Sequence, residues 1–400
     1  MAAPGPLAGI RVLDLSRLLP GPFASLVLAD MGAQVDKIED VSGGDYLRHM
    51  PPLVAGKAPH GGVAGGEPTS GMFLALNRNK RSASLDLKKP AARDALLRMV
   101  ATYDVLLEQF RPGVLDRLGL SHATLRAKNP RLVVCALTGY GQTGPLALRA
   151  GHDIDYLARA GVLGFQGPTD GPPQPPGFQL ADVSGALWSV IGILAALAER
   201  DRTGKGSFVD ISMVESSMGF AMATFGALFA GQVPSRGDEP LVGGIAAYNT
   251  YATKDGQAMA LGALEPKFWI AFCSGVGLEA DMSGIAPGPH QKALKAKVAA
   301  IFASKTRAEW EAFAKERDCC LEPVLAPAEL ASDPHLMARN VFFDMPSPWG
   351  PLRQLRLPTT PLDKVHAAPP RQGEHTDAVL REAGVDDATI AKLRAAGAIR

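Results

Sequence analysis

Arg11-Val-Leu-Asp-Leu15, the segment 22–32, and Gln34-Val-Asp-Lys-Ile-Glu39 form the stretch whose reading decides the fold. The outer pieces are short, largely apolar runs of strand length. In the middle piece Phe23, Leu26, Val27 and Met31 recur at helical spacing and make one face. A helix between two such short strands is a crossover, so the strands run parallel and the helix covers the sheet. The unit recurs as strand 82–87, helix 90–102, strand 104–108, helix 114–128 and strand 132–138. The pattern predicts a doubly wound α/β sheet, and ligands of such sheets sit beyond the carboxyl ends of the strands.

Working outward, two stretches break the alternation. Residues 43–71 are rich in Gly, Pro and His and lack periodicity, and 161–177 is a second Pro/Gly run; both read as loops. Helix 184–200, strand 207–212 and helix 214–230 follow. From about Val233 the texture changes. Alternating runs 246–252 and 257–263 are joined by Lys254-Asp-Gly256, a hairpin signal, and helices are predicted near 266–274, 291–303 and 307–315. This gives a large domain over 1–232 and a smaller α+β domain over 233–332. The helical tail 374–400 returns, so that 333–400 completes the large domain.

The 400 residues are 46% hydrophobic and 20% charged, an ordinary globular composition that excludes a disordered chain. Lys+Arg number 41 against Asp+Glu 40, so nothing favours a nucleic-acid or anionic-membrane partner. Cys135 and Cys273 stand alone, Cys319 and Cys320 are adjacent, and no CxxC or His-rich spacing occurs. The expectation is reduced thiols, no metal and a cytoplasmic protein. Met1-Ala-Ala-Pro-Gly-Pro6 has neither a basic nor an apolar region, so no signal peptide is expected. The apolar stretches 186–198 and 216–233 read as buried helices.

Gly139-Tyr-Gly-Gln-Thr-Gly144 fits G-x-G-x-x-G after a strand, but Pro145 and a loop follow where a dinucleotide site needs a helix. It reads as a tight turn. No nucleotide P-loop, G-x-S-x-G elbow or HExxH is present, which sets aside the chemistries those motifs carry. What remains is ionisable residues in glycine-rich or apolar settings. Gly151-His152-Asp153-Ile-Asp-Tyr156 puts a histidine beside acids, Asp182 stands at the expected start of an apolar helix, and Glu265 precedes Pro266. Asp182 and Glu265 also suit helix N-caps.

Several segments, in order, resemble family III CoA transferases, the group that includes α-methylacyl-CoA racemase. They are Leu7-Ala-Gly-Ile-Arg-Val-Leu-Asp14, Gly32-Ala-Gln-Val-Asp-Lys-Ile-Glu39, Leu76-Asn-Arg-Asn-Lys-Arg81, Phe110-Arg-Pro-Gly113, Leu137-Thr-Gly-Tyr-Gly-Gln-Thr-Gly-Pro145, Gly204-Lys-Gly206 and Val209-Asp-Ile-Ser-Met213. The resemblance implies a Rossmann-like large domain, a smaller α+β domain and an interlocked homodimer. It also implies an acyl-CoA substrate in lipid metabolism and no cofactor beyond that coenzyme A.

Two chemistries follow from it. In the transferases the residue matching Asp182 attacks the thioester, giving an acyl anhydride and then an aspartyl-CoA thioester; a helix N-terminus would keep that carboxylate ionised. In the racemases the matching aspartate is a base opposite a histidine. Gly151-His152-Asp153-Ile-x-Tyr156 is similar to the racemase Gly-His-Asp-Ile-Asn-Tyr, with Asp at 155, and Gly262-Ala-Leu-Glu265-Pro is racemase-like. Inversion needs two bases and transfer does not. The reading is a racemase of 2-methylacyl-CoA using His152 and Asp182. Glu265 would tune His152, and a backbone N–H near Asp153 would hold the enolate. The expected coenzyme A contacts are Arg78, Lys80, Arg81, Lys88, Arg111 and Tyr156. One departure stands out: racemase-like sequences often carry Arg just after the second strand, where this chain has Glu39-Asp40.

Overall fold

The computed structural model describes residues 5–55 and 67–400. Residues 1–4, part of the leader reading, and 56–66, inside the expected 43–71 loop, lie outside the described residues. Six strands form one parallel sheet: β1 (Arg11–Asp14), β2 (Gln34–Glu39), β3 (Lys80–Ser84), β4 (Val105–Glu108), β5 (Val133–Thr138) and β6 (Phe208–Ser212). Their order is β3-β2-β1-β4-β5-β6, so the winding reverses between β1 and β4. That reversal is the topological switch point of a doubly wound sheet, where ligands bind.

Alternation along the strands sends side chains to two cores. Val12, Val35, Val105, Val133 and Cys135 pack with helix α1 (Pro20–Asp30) and with Ala186, Val190 and Ile193 of a later helix. Leu13, Ile38, Ala83, Leu106 and Val134 pack on the other face with helix α2 (Pro90–Val100) and with Val379, Leu380, Ile390 and Leu393 of the C-terminal helices. The tail therefore completes a layer that residues 90–100 cannot cover alone.

Boundaries differ from expectation where local geometry intervenes. The strand expected at 82–87 is Lys80–Ser84, because Leu85 leaves the ladder to bridge Ile399. The helix expected at 114–128 breaks into Val114–Arg117 and α3 (His122–Lys128), the latter capped by Ser121 Oγ accepting from Thr124 N at 3.2 Å. In the 43–71 stretch, Leu53–Val54 pairs antiparallel with Thr69–Ser70.

Three helices follow. They are α4 (Asp153–Arg159), α5 (Leu180–Thr203) and α6 (Met213–Phe220); the next, α7 (Met222–Phe229), was expected to continue α6 as one buried helix. That expectation is corrected. No residue of α7 is buried, with Met222 65% and Phe229 79% exposed; Phe165 meets it edge-on at Phe225, 5.8 Å between ring centroids, and leaves much of the helix open. Helix α5 is long and apolar enough to cross a membrane by length and composition, but its inner residues belong to the sheet core.

The chain divides into two compact units, one of 1–160, 178–220 and 335–400, the other of 161–177 and 221–334. The second unit is built on the antiparallel strands β7 (Tyr248–Ala252), β8 (Ala258–Gly262) and β9 (Leu321–Pro323). Its core stacks Tyr251, Trp269, Phe272, Phe302 and Trp310.

Candidate active site

The polar cluster of the first unit forms where α4 begins. His152 precedes α4 in extended conformation, and its N–H donates to Asp155 Oδ2 at 2.9 Å. An amide oxygen could accept the same bond, so the backbone tolerates Asp where the racemase pattern has Asn. The imidazole is exposed in this unit. Asp153 Oδ1 reaches across to accept from Ala181 N at 2.7 Å and Asp182 N at 3.1 Å. Those are orphan donors of the first turn of α5. Asp182 also suited an N-cap of its own helix; Gln179 occupies the N-cap without a side-chain bond, and the carboxylate of Asp153 takes the capping role instead. Asp182 is thereby left without that duty, inside the first turn and half-buried.

Charge and burial act on Asp182 against the expected helix-dipole effect. Desolvation, reinforced by the Asp153 carboxylate, pushes it up to about 7. Asp153 itself is raised by burial, in spite of the two backbone N–H groups that lower it. The helix N-terminus is thus shared with a second anion, and its stabilising effect is spent on Asp153.

Tyr156 is buried beside them. Its hydroxyl donates to the Gly151 carbonyl, its ring meets Tyr140 edge-on at 5.2 Å, and burial and then the Asp182 charge raise it to about 12. The position of this ring explains Gly139 in the G-x-G-x-x-G turn. A Cβ there would lie 2.2 Å from Tyr156 Cε1, so the glycine makes room for the ring.

The expected coenzyme A cations divide sharply. Arg78 is buried and paired with Asp30 at 2.6 Å. Lys80 is buried, donates to the Pro22 carbonyl at 2.8 Å and Asn77 Oδ1 at 2.9 Å, and is pulled down to about 7 chiefly by desolvation. Arg81 bridges Asp36 and Glu382, both at 2.6 Å. These three hold the sheet to α1 and to the tail, so the structure corrects their assignment: their donors are occupied inside the unit. Lys88 and Arg111 are exposed, and neither forms an ion pair among the described residues. The Arg111 charge is felt at the Tyr156 hydroxyl, which places it on the side of the polar cluster.

At the switch point lies a cavity of about 340 Å³, lined from the ends of β1, β2, β3 and β4. Leu15, Ile38, Leu87 and Phe110 make its walls, and Arg17, Asp40, Asp86 and Lys88 are among its polar groups. Beneath it Glu39 is clamped by Arg48 at 2.7 Å and Asp45 by Lys37 at 3.0 Å, all buried. Of the six expected contacts only Lys88 lines this cavity. Arg17, Phe110 and Asp86 also line it and were not among the expected contacts, although the strand-end rule pointed to the residues directly after each strand.

Glu265 stands in the second unit. It is exposed, at the N-cap of a helix, Pro266–Val276, with no side-chain capping bond.

Comparison with known proteins agrees with this architecture. The profile of CoA-transferase family III matches residues 7–376. The mouse (Mus musculus) alpha-methylacyl-CoA racemase is 38% identical, over 97% of this chain and 96% of that protein. A succinate–glutarate CoA-transferase of Agrobacterium fabrum is 34% identical, over 94% and 95%. Among solved structures, a CAIB/BAIF family protein from Brucella suis superposes with a TM-score of 0.81 at 31% identity, covering 95% of this chain and 100% of that one. With the parallel sheet and the matched motifs, these findings establish that the chain belongs to CoA-transferase family III, as an enzyme of its transferase and racemase kind.

Proposed function

We propose that the protein inverts the α-carbon of a 2-methylacyl-CoA by proton transfer between two bases. The observation that carries the reading is the tie between the start of α4, next to His152, and the first turn of α5, which holds Asp182. Asp153, the neighbour of His152, is fastened to the first turn of α5, and Asp182 in that turn is held near 7. A carboxyl that titrates near neutrality suits proton exchange, whereas a nucleophilic carboxylate needs an environment that keeps it ionised.

In the proposed mechanism one of His152 and Asp182 removes the α-proton and the conjugate acid of the other returns one to the opposite face. Asp153 opens α4, so its N–H has no intrahelical acceptor and is the donor we assign to the thioester enolate oxygen. Lys88 and Arg111 would serve the coenzyme A phosphates, and Tyr156 would shape the thioester pocket. The chemistry calls for no cofactor besides the coenzyme A of the substrate.

The second reading keeps Asp182 as the nucleophile of a CoA transferase, and the Agrobacterium relative supports it at nearly the same identity as the racemase. Alanine variants separate the two. For a racemase, His152→Ala and Asp182→Ala each abolish inversion, a loss of at least about 100-fold for a removed acid–base group. For a transferase only Asp182→Ala is dead, and His152→Ala retains CoA transfer.

A further inference from the structure

Glu108 is a buried acid with no part in the proposed mechanism. It is the last residue of β4, at the switch point, and is 3% exposed. Burial pushes its carboxyl up to about 7 against the Phe110 N–H that lowers it, and the charges acting on it, those of Asp210 and Asp116, have its own sign. Among the described residues no cation pairs with it. A carboxyl in such a setting costs the fold free energy, so its use lies in what it holds.

What it holds is the turn that carries Arg111. Glu108 Oε2 accepts from Phe110 N at 2.7 Å, Gln109 Oε1 accepts from Gly21 N at 3.2 Å, and the Arg111 carbonyl accepts from Val114 N at 3.1 Å. The backbone of Arg111 is thus fastened on both sides, before it by Glu108 and after it by the helix Val114–Arg117. Pro112 follows, whose ring fixes φ. Phe110 lines the strand-end cavity, while Arg111 stays exposed, and its charge acts on Tyr156. A long cation fixed at its root loses less freedom on meeting an anion than one on a loose loop.

We infer that Glu108 is a positioning residue for the acyl-CoA substrate: through the Phe110 N–H it fixes the turn from which Arg111 meets an anionic group of coenzyme A. It works as a hydrogen-bond acceptor and not as a charge. The inference rests on the reading of the protein as an acyl-CoA enzyme.

Calorimetry with CoA on single and double variants, at one ionic strength, tests it. Arg111→Ala should weaken binding about 10- to 100-fold, the range of a charge-assisted contact. Glu108→Met keeps the length of the side chain and removes the acceptor, and should weaken binding about 3- to 10-fold. Glu108→Gln keeps the acceptor and should bind within about twofold of the wild type. In the Arg111→Ala background Glu108→Met should weaken binding no further, because residues that act as one unit are not additive. Thermal unfolding supplies the control: Glu108→Met should be no less stable than the wild type, since the desolvated carboxyl is gone. An equal loss of affinity in the Arg111→Ala background overturns the inference. So does a loss shared by Glu108→Gln, or one that comes only with a lowered unfolding midpoint. Glu108→Ala carries the same expectations as Glu108→Met, and misfolding of both would make Glu108 a residue of the fold and overturn the inference as well. Wild-type affinity in Arg111→Ala overturns it and leaves the acyl-CoA reading standing. A wild-type protein that binds no CoA overturns both.

Discussion

Asp153 shows how one side chain sets the chemistry of another. Its carboxylate caps α5 and, from the same position, raises Asp182. Replacing it by Asn keeps an acceptor for the two backbone N–H groups and removes the charge. In the wild type the limb of the kcat/KM profile that belongs to Asp182 should lie near pH 7. In Asp153→Asn it should move to lower pH, because a carboxyl without an anionic neighbour ionises more readily. An unmoved limb would show that burial alone tunes Asp182. The same shift has a sign in stability. A native carboxyl titrating near 7 binds a proton that the unfolded chain has already released above its ordinary 3.8, so Asp182 makes the fold less stable as pH rises between those values.

At the scale of elements, the turn after β5 and the start of α4 are packed as one piece through Tyr156. Gly139→Ala puts a methyl into the Tyr156 ring and should cost about 1–3 kcal/mol, the range for overpacking. Thermal unfolding measures that cost; a variant as stable as the wild type would show that the ring can yield without loss. The parallel sheet was legible because each strand–helix–strand unit carries its own period, and β2 agrees with the expected 34–39 to the residue. His152, Asp153 and Asp182 were picked out by their match to the family pattern, and the structure brings Asp153 onto the Asp182 backbone N–H. Arg78, Lys80 and Arg81 were misread because a cation near a strand end looks the same in sequence whether it faces solvent or a buried acid. Asp30, Asp14 and Asp36, which claim them, are remote in sequence. The break between α6 and α7 left no glycine or proline mark, since residue 221 is Ala.

For the whole molecule, α7 raises the question of what covers an uncharged, apolar helix with no buried residue. Phe220, Met222 and Phe229 are exposed along it and at its approach. Surfaces of this kind mark association sites, and we propose a homodimer as the occupant, in keeping with the interlocked assembly that the family resemblance implies. Sedimentation should give a species of twice the 42.0 kDa chain mass at working concentration. Met222→Glu together with Phe229→Glu should release or misfold the protomer, and a stable wild-type monomer would count against the proposal.

The central claim is proton transfer at the α-carbon, and it is tested most directly by incubating the wild-type protein with a 2-methylacyl-CoA in D₂O without any acceptor acid. The account predicts deuterium at the α-carbon together with loss of configuration. Absence of deuterium, with coenzyme A passing onto a carboxylic acid once one is added, would contradict it and make Asp182 a nucleophile.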